Sequence, residues 1–210
     1  MIKASLILVL FLGYSFITFV QTVTIGNQVW MTKNLNVDKF RNGDPIPHAR
    51  TDEEWKKAGE NEEPAWCYYE SDTRNGEKFG KLYNWYAVND KRGLAPSGYH
   101  VPTDIEWTTL TNYLGEDNGI KLKSTKGWNN NGNGTNICGF LGLPNGIRLD
   151  EGDIYFFGIG ELGYWWSSTI GLTDYDSYGR HLDSDSNLLF RGCGSDYYNG
   201  NGFSVRCLRD

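Results

Sequence analysis

A chain of 210 residues with 26 acidic and 20 basic side chains, net charge −6, is long enough for one good-sized core and short for two. Its hydrophobic content of 39% and charged content of 22% are those of a globular protein rather than a disordered one. An acidic chain without a basic cluster is a poor partner for nucleic acid or an anionic membrane, and both classes are set aside.

In chain order the first element is a targeting signal. "MIKASLILVLFLGYSFITFVQ" puts Lys3 ahead of an apolar run from Leu6 to Val20, and no further charge follows until Lys33. A basic start, an apolar core and a polar continuation are the order of a secretory signal; an uncleaved membrane anchor is the competing reading. No cysteine closes the run, so a lipid-attachment signature is absent. Residues 1–21 are expected to be a signal sequence and 22–210 a single exported domain, with no membrane segment after cleavage. Its location is then secreted, periplasmic or at the cell surface.

Next, "VTIGNQVWMTKNL" has two apolar-rich runs around Gly26-Asn27 and predicts a hairpin. Thr51 with Glu54 three residues on predicts a capped helix that stops at Gly59. "PAWCYYE" reads as a strand, and "GKLYNWYAVND" spaces Leu82, Trp85, Tyr86 and Asn89 as a helix would. Thr103 and Glu106 form a second capping box, with Trp107, Leu110 and Leu114 on one face and Gly115 at the end. From Gly127 onward helical periodicity vanishes. "LPNGIRL", "DIYFFGI", "GYWWSST", "YGRHLDS", "NLLFRGC" and "GFSVRC" then read as short strands between polar, glycine-rich loops. Helices first and strands later argue an α+β fold with a late antiparallel sheet. The closing strand alternates Phe203, Val205 and Cys207 against Ser204, Arg206 and Leu208, with one face expected inward.

The residues that carry chemistry are sparse. His48, His100 and His181 are scattered, with neither metal spacing nor a nucleophile motif beside them. No phosphate-binding glycine motif follows a strand. Cys67, Cys138, Cys193 and Cys207 lack the spacing of a zinc site, and in an exported chain they read as up to two disulfides with three possible connectivities. Asp183, Asp185 and Asn187 resemble the opening of a calcium loop, since hard cations want several oxygens close together. Leu188 and Gly194 then break that pattern, so the segment reads first as a polar hairpin loop and only second as a calcium site. No other cofactor is expected. Trp165 and Trp166 are adjacent on a strand and read as core. Tyr175, Asp176 and Tyr178, with Asp196, Tyr197, Tyr198 and Asn199, sit in polar loops and are the candidate ligand contacts, because exposed rings offer large area at small entropic cost. No catalytic residue is assigned.

"WMTKNLNV", "AWCYYE", "GKLYNWYAV", "GLAPSGYHVPTDIEWTTL", "LKSTKGWN", "NGNGTNICGFLGLPNGIR", "YWWSST" and "GFSVRCLRD" occur in one order. Together they resemble the Fibrobacter succinogenes major paralogous domain, a family of exported bacterial proteins common in gut Bacteroidetes. The resemblance implies a C-type lectin-like fold, with two main helices framing a twisted antiparallel sheet and long irregular loops on one side. It also implies a more distant relation to formylglycine-generating enzymes. Cys138 and Cys193 depart from the family pattern and would pair with each other, leaving Cys67 with Cys207. The function expected is a non-enzymatic recognition module that presents loops from Gly171 to Asn201 to a glycan, a protein or a surface polymer. The alternatives are a cysteine oxidase, for which "FRGCGS" and "GFSVRC" are the superficial match, and a structural or adhesive surface role.

Overall fold

The structure is a computed structural model and describes residues 21–150 and 155–210. The expected signal sequence, apart from Gln21, lies outside the described residues. No helix among the described residues is long and apolar enough to cross a membrane.

The hairpin forms as its turn chemistry predicts. β1 (Thr22–Ile25) pairs antiparallel with β2 (Gln28–Met31), and Gly26 takes the positive φ of +63° that the turn needs. α1 (Asp52–Glu60) begins at Thr51, whose hydroxyl accepts from the Glu54 amide, while the Glu54 carboxylate reaches the amide of Arg50. Gly59 does not end this helix. It lies inside, buried, where a β-carbon would stand 2.6 Å from the Asp150 carboxylate.

The strand expected at "PAWCYYE" shortens to β3 (Trp66–Cys67), followed by a 3-10 turn at Tyr69–Ser71 and α2 (Thr73–Phe79). The helix expected over "GKLYNWYAVND" is instead β4 (Leu82–Tyr83) and a four-residue α3 (Trp85–Val88). Asn84 is the reason. Fully buried, its Oδ1 accepts from the amides of Ala87 and Ala65 and its Nδ2 donates to Glu63 O, so strand becomes helix at that residue. After β5 (Tyr99–His100), α4 (Asp104–Leu114) carries the complete capping box between Thr103 and Glu106. It buries Trp107 and Leu110 and stops at Gly115 with φ +68°. A short α5 (Asn118–Leu122) leads into the strand-rich half.

That half supplies β6 (Asn145–Arg148), β7 (Phe156–Ile159), β8 (Leu162–Ile170), β9 (Ser177–Asp183), β10 (Leu189–Gly192) and β11 (Leu208–Arg209). The main sheet has five strands in the order β10-β9-β8-β6-β7, and its β6–β8 pairing is parallel. A four-stranded sheet runs β1-β2-β11-β5, and β3 pairs with β4 alone. The single antiparallel sheet of the sequence reading is thus corrected to a mixed α/β domain with several sheets and few helices.

Trp165 and Trp166 on β8 face opposite ways and both are fully buried. Trp166 packs with Tyr83, Trp85 and Phe203, and Trp165 with Trp30, Trp107 and Phe140, so both faces of the main sheet are covered. A third cluster gathers Trp55, Ala65, Cys67, Tyr69 and Leu82. Each fully buried large side chain contributes about 1.5–3 kcal/mol.

The C-terminal segment differs most from expectation. Gly202 bridges to Arg148, Phe203 to Tyr83 and Ser204 to Trp165, after which Val205 O accepts from Leu35 N and Cys207 O from Met31 N. Leu208 then joins β2 to β5. Every residue from Gly200 to Leu208 is buried, so the segment is a spine between sheets rather than an edge strand with one wet face. Arg206 has no exposure at all. Its donors reach Asn34 Oδ1, Met31 O, Phe140 O and Leu141 O, and its guanidinium lies 4.3 Å from the Phe140 ring centre. Burial without a carboxylate lowers its pKa to about 9.

All four cysteines are free thiols, so neither expected disulfide is formed. Cys67 belongs to the Trp55 cluster and Cys207 to the Met31–Val205 cluster. Cys138 packs beside the Trp107 cluster with its Sγ on Lys121 O, and Cys193 precedes the 3-10 turn Ser195–Tyr197.

Candidate functional site

The loops expected to meet a ligand are braced from behind. Residues 171–176 join β8 to β9, and the Asp176 carboxylate, 5% exposed, accepts from Leu172 N and Thr173 Oγ1 within that loop. Burial raises the pKa of this carboxyl, but those bonds and one from the Gly194 backbone outweigh it and hold it below the ordinary value. A β-carbon at Gly171 would stand 1.7 Å from Asp176 Oδ1, so the close approach requires glycine. Asn199, 1% exposed, ties the loop to the C-terminal spine. Its Oδ1 accepts from Ser177 Oγ, its Nδ2 donates to Asp174 O, its amide donates to Tyr175 O, and its carbonyl accepts from Trp85 N. Tyr197 is buried over Gly179 and Gly192, where any β-carbon would collide with its ring.

Three of the candidates, Asp176, Tyr197 and Asn199, are buried and brace the loops from within. The others reach solvent. Tyr175 is 61% exposed and Asp196 is exposed. Tyr178 is half-buried beneath the Arg191 guanidinium, 4.2 Å from its ring centre. Tyr198 bridges to Asp176 and lines a cavity of about 340 Å³ with Leu149, Ser195 and Asn201. Sequence reasoning missed Leu172, 78% exposed in the same loop, although an apolar residue among Thr and Asp was a visible signal. It also missed Phe190 and Arg191, because "NLLFRGC" reads as an ordinary buried strand.

The histidines all have structural partners. His48 stacks on Trp66 with ring centres 3.8 Å apart. His100 lies between Glu106 Oε1 at 2.9 Å and Asp210 Oδ1 at 2.8 Å. His181 takes a place in a cross-strand stack, Phe203–Tyr164–His181–Phe190, whose neighbouring ring centres are each 4.8 Å apart. The stack runs from the core to the half-exposed Phe190 on β10. Burial lowers the His181 pKa despite Asp183 and Asp196 nearby, and its Nδ1 shares a 2.7 Å hydrogen bond with the Tyr197 hydroxyl.

The turn that carries the calcium candidates Asp183, Asp185 and Asn187 is held by a buried lysine. Lys123, 2% exposed, directs its ammonium at the carbonyl oxygens of Asp183, Ser184 and Ser186, 3.0, 3.4 and 2.9 Å away. Asp183 Oδ1 accepts from the Asp185 amide, and Asn187 Nδ2 reaches Asp117 Oδ1. Three main-chain carbonyls of that turn thus face a lysine, and the described residues contain no group of three or more His, Cys, Asp or Glu arranged to hold a metal. The thiol of Cys207 is buried, and burial pushes it up to about 12.

Fold and site together define a mixed α/β domain whose late loops are held rigid by buried polar side chains. The chain belongs to the Fibrobacter succinogenes major domain family, whose model matches residues 23–209. No curated protein and no solved structure matches it.

Proposed function

We propose that this chain is an exported, non-enzymatic recognition module of C-type lectin-like build that presents the surface of residues 171–201 to a glycan. The observation that carries the reading is the bracing of the loop by Asp176 and Asn199, which leaves Tyr175 and Leu172 projecting from a backbone held in place. A surface ordered before binding loses less conformational entropy on capturing a ligand, and a tyrosine adds area with a polar tip. The export half of the reading rests on the charge and hydropathy pattern of residues 1–21. The lectin-like part of the reading rests on the family resemblance, and α1 and α4, the longest helices among the described residues, are the two it would use as its frame.

The oxidase alternative needs an accessible thiolate. Cys207 has neither access nor an ionised sulfur at neutral pH, which favours recognition over thiol chemistry. Lys123 at the Asp183 loop makes calcium unnecessary to hold that loop. The test is a glycan array run with and without a chelator. The expected result is binding to a defined glycan class, weakened at least about tenfold by Tyr175→Ala, a loss of about 1.4 kcal/mol, and unchanged by the chelator. A flat array sinks the glycan assignment.

A further inference from the structure

β10 is the last strand of its sheet, and beside it the structure leaves a trough of about 610 Å³ against α4. Leu189 N–H points away from β9, to Asn118 Oδ1 at 2.7 Å. In an antiparallel ladder outward and inward residues alternate, so the N–H and C=O of Arg191 point outward too, with no strand of the sheet beyond them. Opposite this edge α4 contributes Thr108, Thr111 and Asn112. The helix runs antiparallel to β10: Asp104 at its start binds Arg191, and Asn118 just past its end binds Leu189. Three interactions make these walls firm. Asp104 accepts from Arg180 Nη1 at 2.7 Å and from Arg191 Nη2 at 2.9 Å, and Arg180 Nη2 also meets Thr108 Oγ1.

We infer that this trough is a strand-acceptor site for an extended peptide segment of a partner protein, which would pair with β10 and lie against α4. The pairing uses the outward Leu189 C=O and the Arg191 N–H and C=O of β10, the Leu189 N–H being held by Asn118. A sheet edge beside a helix is a geometry that receives extended peptides, with main-chain pairing giving affinity and alternate side chains giving selectivity. Leu188, Leu189 and the part-exposed ring of Phe190 line the trough beside its hydroxyls and amides. What favours a peptide over a carbohydrate is the main-chain edge, since a sugar has no N–H and C=O ladder to pair with it. Charge sets the direction of the peptide. The half-exposed Arg191 guanidinium stands at one end and the exposed Glu116 carboxylate at the other, so the segment carries an acidic side chain toward the first and a basic one toward the second. β10 lies within the 171–201 stretch, but the glycan reading rests on Tyr175 and Leu172 of the 171–176 loop and this one on the β10 edge. The Tyr175 and Asn112 substitutions therefore let either assignment fail alone.

The test pans a phage-displayed random decapeptide library on the purified protein and follows the enriched peptide by backbone amide NMR shifts. Expected are sequences with one acidic and one basic position, shifts centred on Leu189–Gly192, and at least tenfold weaker binding by Asn112→Trp. Asn112 is exposed on α4 and in no described hydrogen bond, so that substitution fills the trough without touching the core. Tyr175→Ala is expected to leave peptide binding unchanged. Enrichment no greater than on bare support, or an enriched peptide that binds Asn112→Trp as tightly as the parent, overturns the inference.

Discussion

Arg206 shows how much a single side chain can decide. Its guanidinium joins three stretches far apart in sequence, around Met31–Asn34, Phe140–Leu141 and the spine itself. A lysine offers no planar fork, and its shorter reach would strand several buried carbonyls, each costing about 1–3 kcal/mol. Arg206→Lys is expected to lower stability by about 3 kcal/mol or more in urea unfolding with little change in m-value. His100 makes a pH-dependent contribution. Burial lowers its pKa, but the hydrogen bonds to Asp210 and Glu106 prevail and set it above the usual value. A folded pKa above the unfolded one gives stabilisation that is complete below the unfolded pKa of about 6.5 and lost as pH rises through the folded value. His100→Gln should therefore flatten the fall in melting temperature above about pH 6.5. An unchanged slope removes the role.

At the scale of elements, α4 is the best-specified piece and its start is the place to test it. Thr103→Ala removes the cap hydroxyl and half of the reciprocal box. The expected loss is about 1 kcal/mol by thermal or chemical denaturation, with binding unaffected. The 171–176 loop behaves in the opposite way. Gly171→Ala would drive a methyl group into the Asp176 carboxylate, so ligand binding should weaken more than global stability does. α4 was legible because its signals lie within a dozen residues of one another. The helix misread at residues 80–90 shows the limit of such signals. Trp85 and Leu82 keep helical spacing, yet Asn84 bonds to Glu63 and Ala65 and divides the segment into strand and turn. Long-range hydrogen bonds overrode the local period.

Across the whole molecule the spine from Gly200 to Leu208 holds the sheets together. Its main chain touches segments from Met31 to Trp165 and its residues are all buried. A chain ending at Asn199 is expected to show no cooperative unfolding transition by circular dichroism. Retained cooperativity would mean the sheets associate without it. The same packing explains the thiols. Cys67 and Cys207 are buried with thiols pushed up to about 12, so they should stay unreactive toward an aromatic disulfide reagent until the protein unfolds.

The sequence by itself determined the hairpin at Gly26, the capped helix at Thr103, the strand-rich second half and the family. Each of these is written in short-range patterns: turn residues, caps, alternation and the order of blocks. Tertiary structure alone decided that Asp176 and Asn199 are struts while Tyr175 is presented, that Lys123 fills the Asp183 turn, and that four cysteines remain apart. Those outcomes depend on partners brought together from distant parts of the chain. A polar residue in a loop looks the same in sequence whether its hydrogen bonds go to water or to the protein. Burial separates the two cases, and burial is a property of the folded whole.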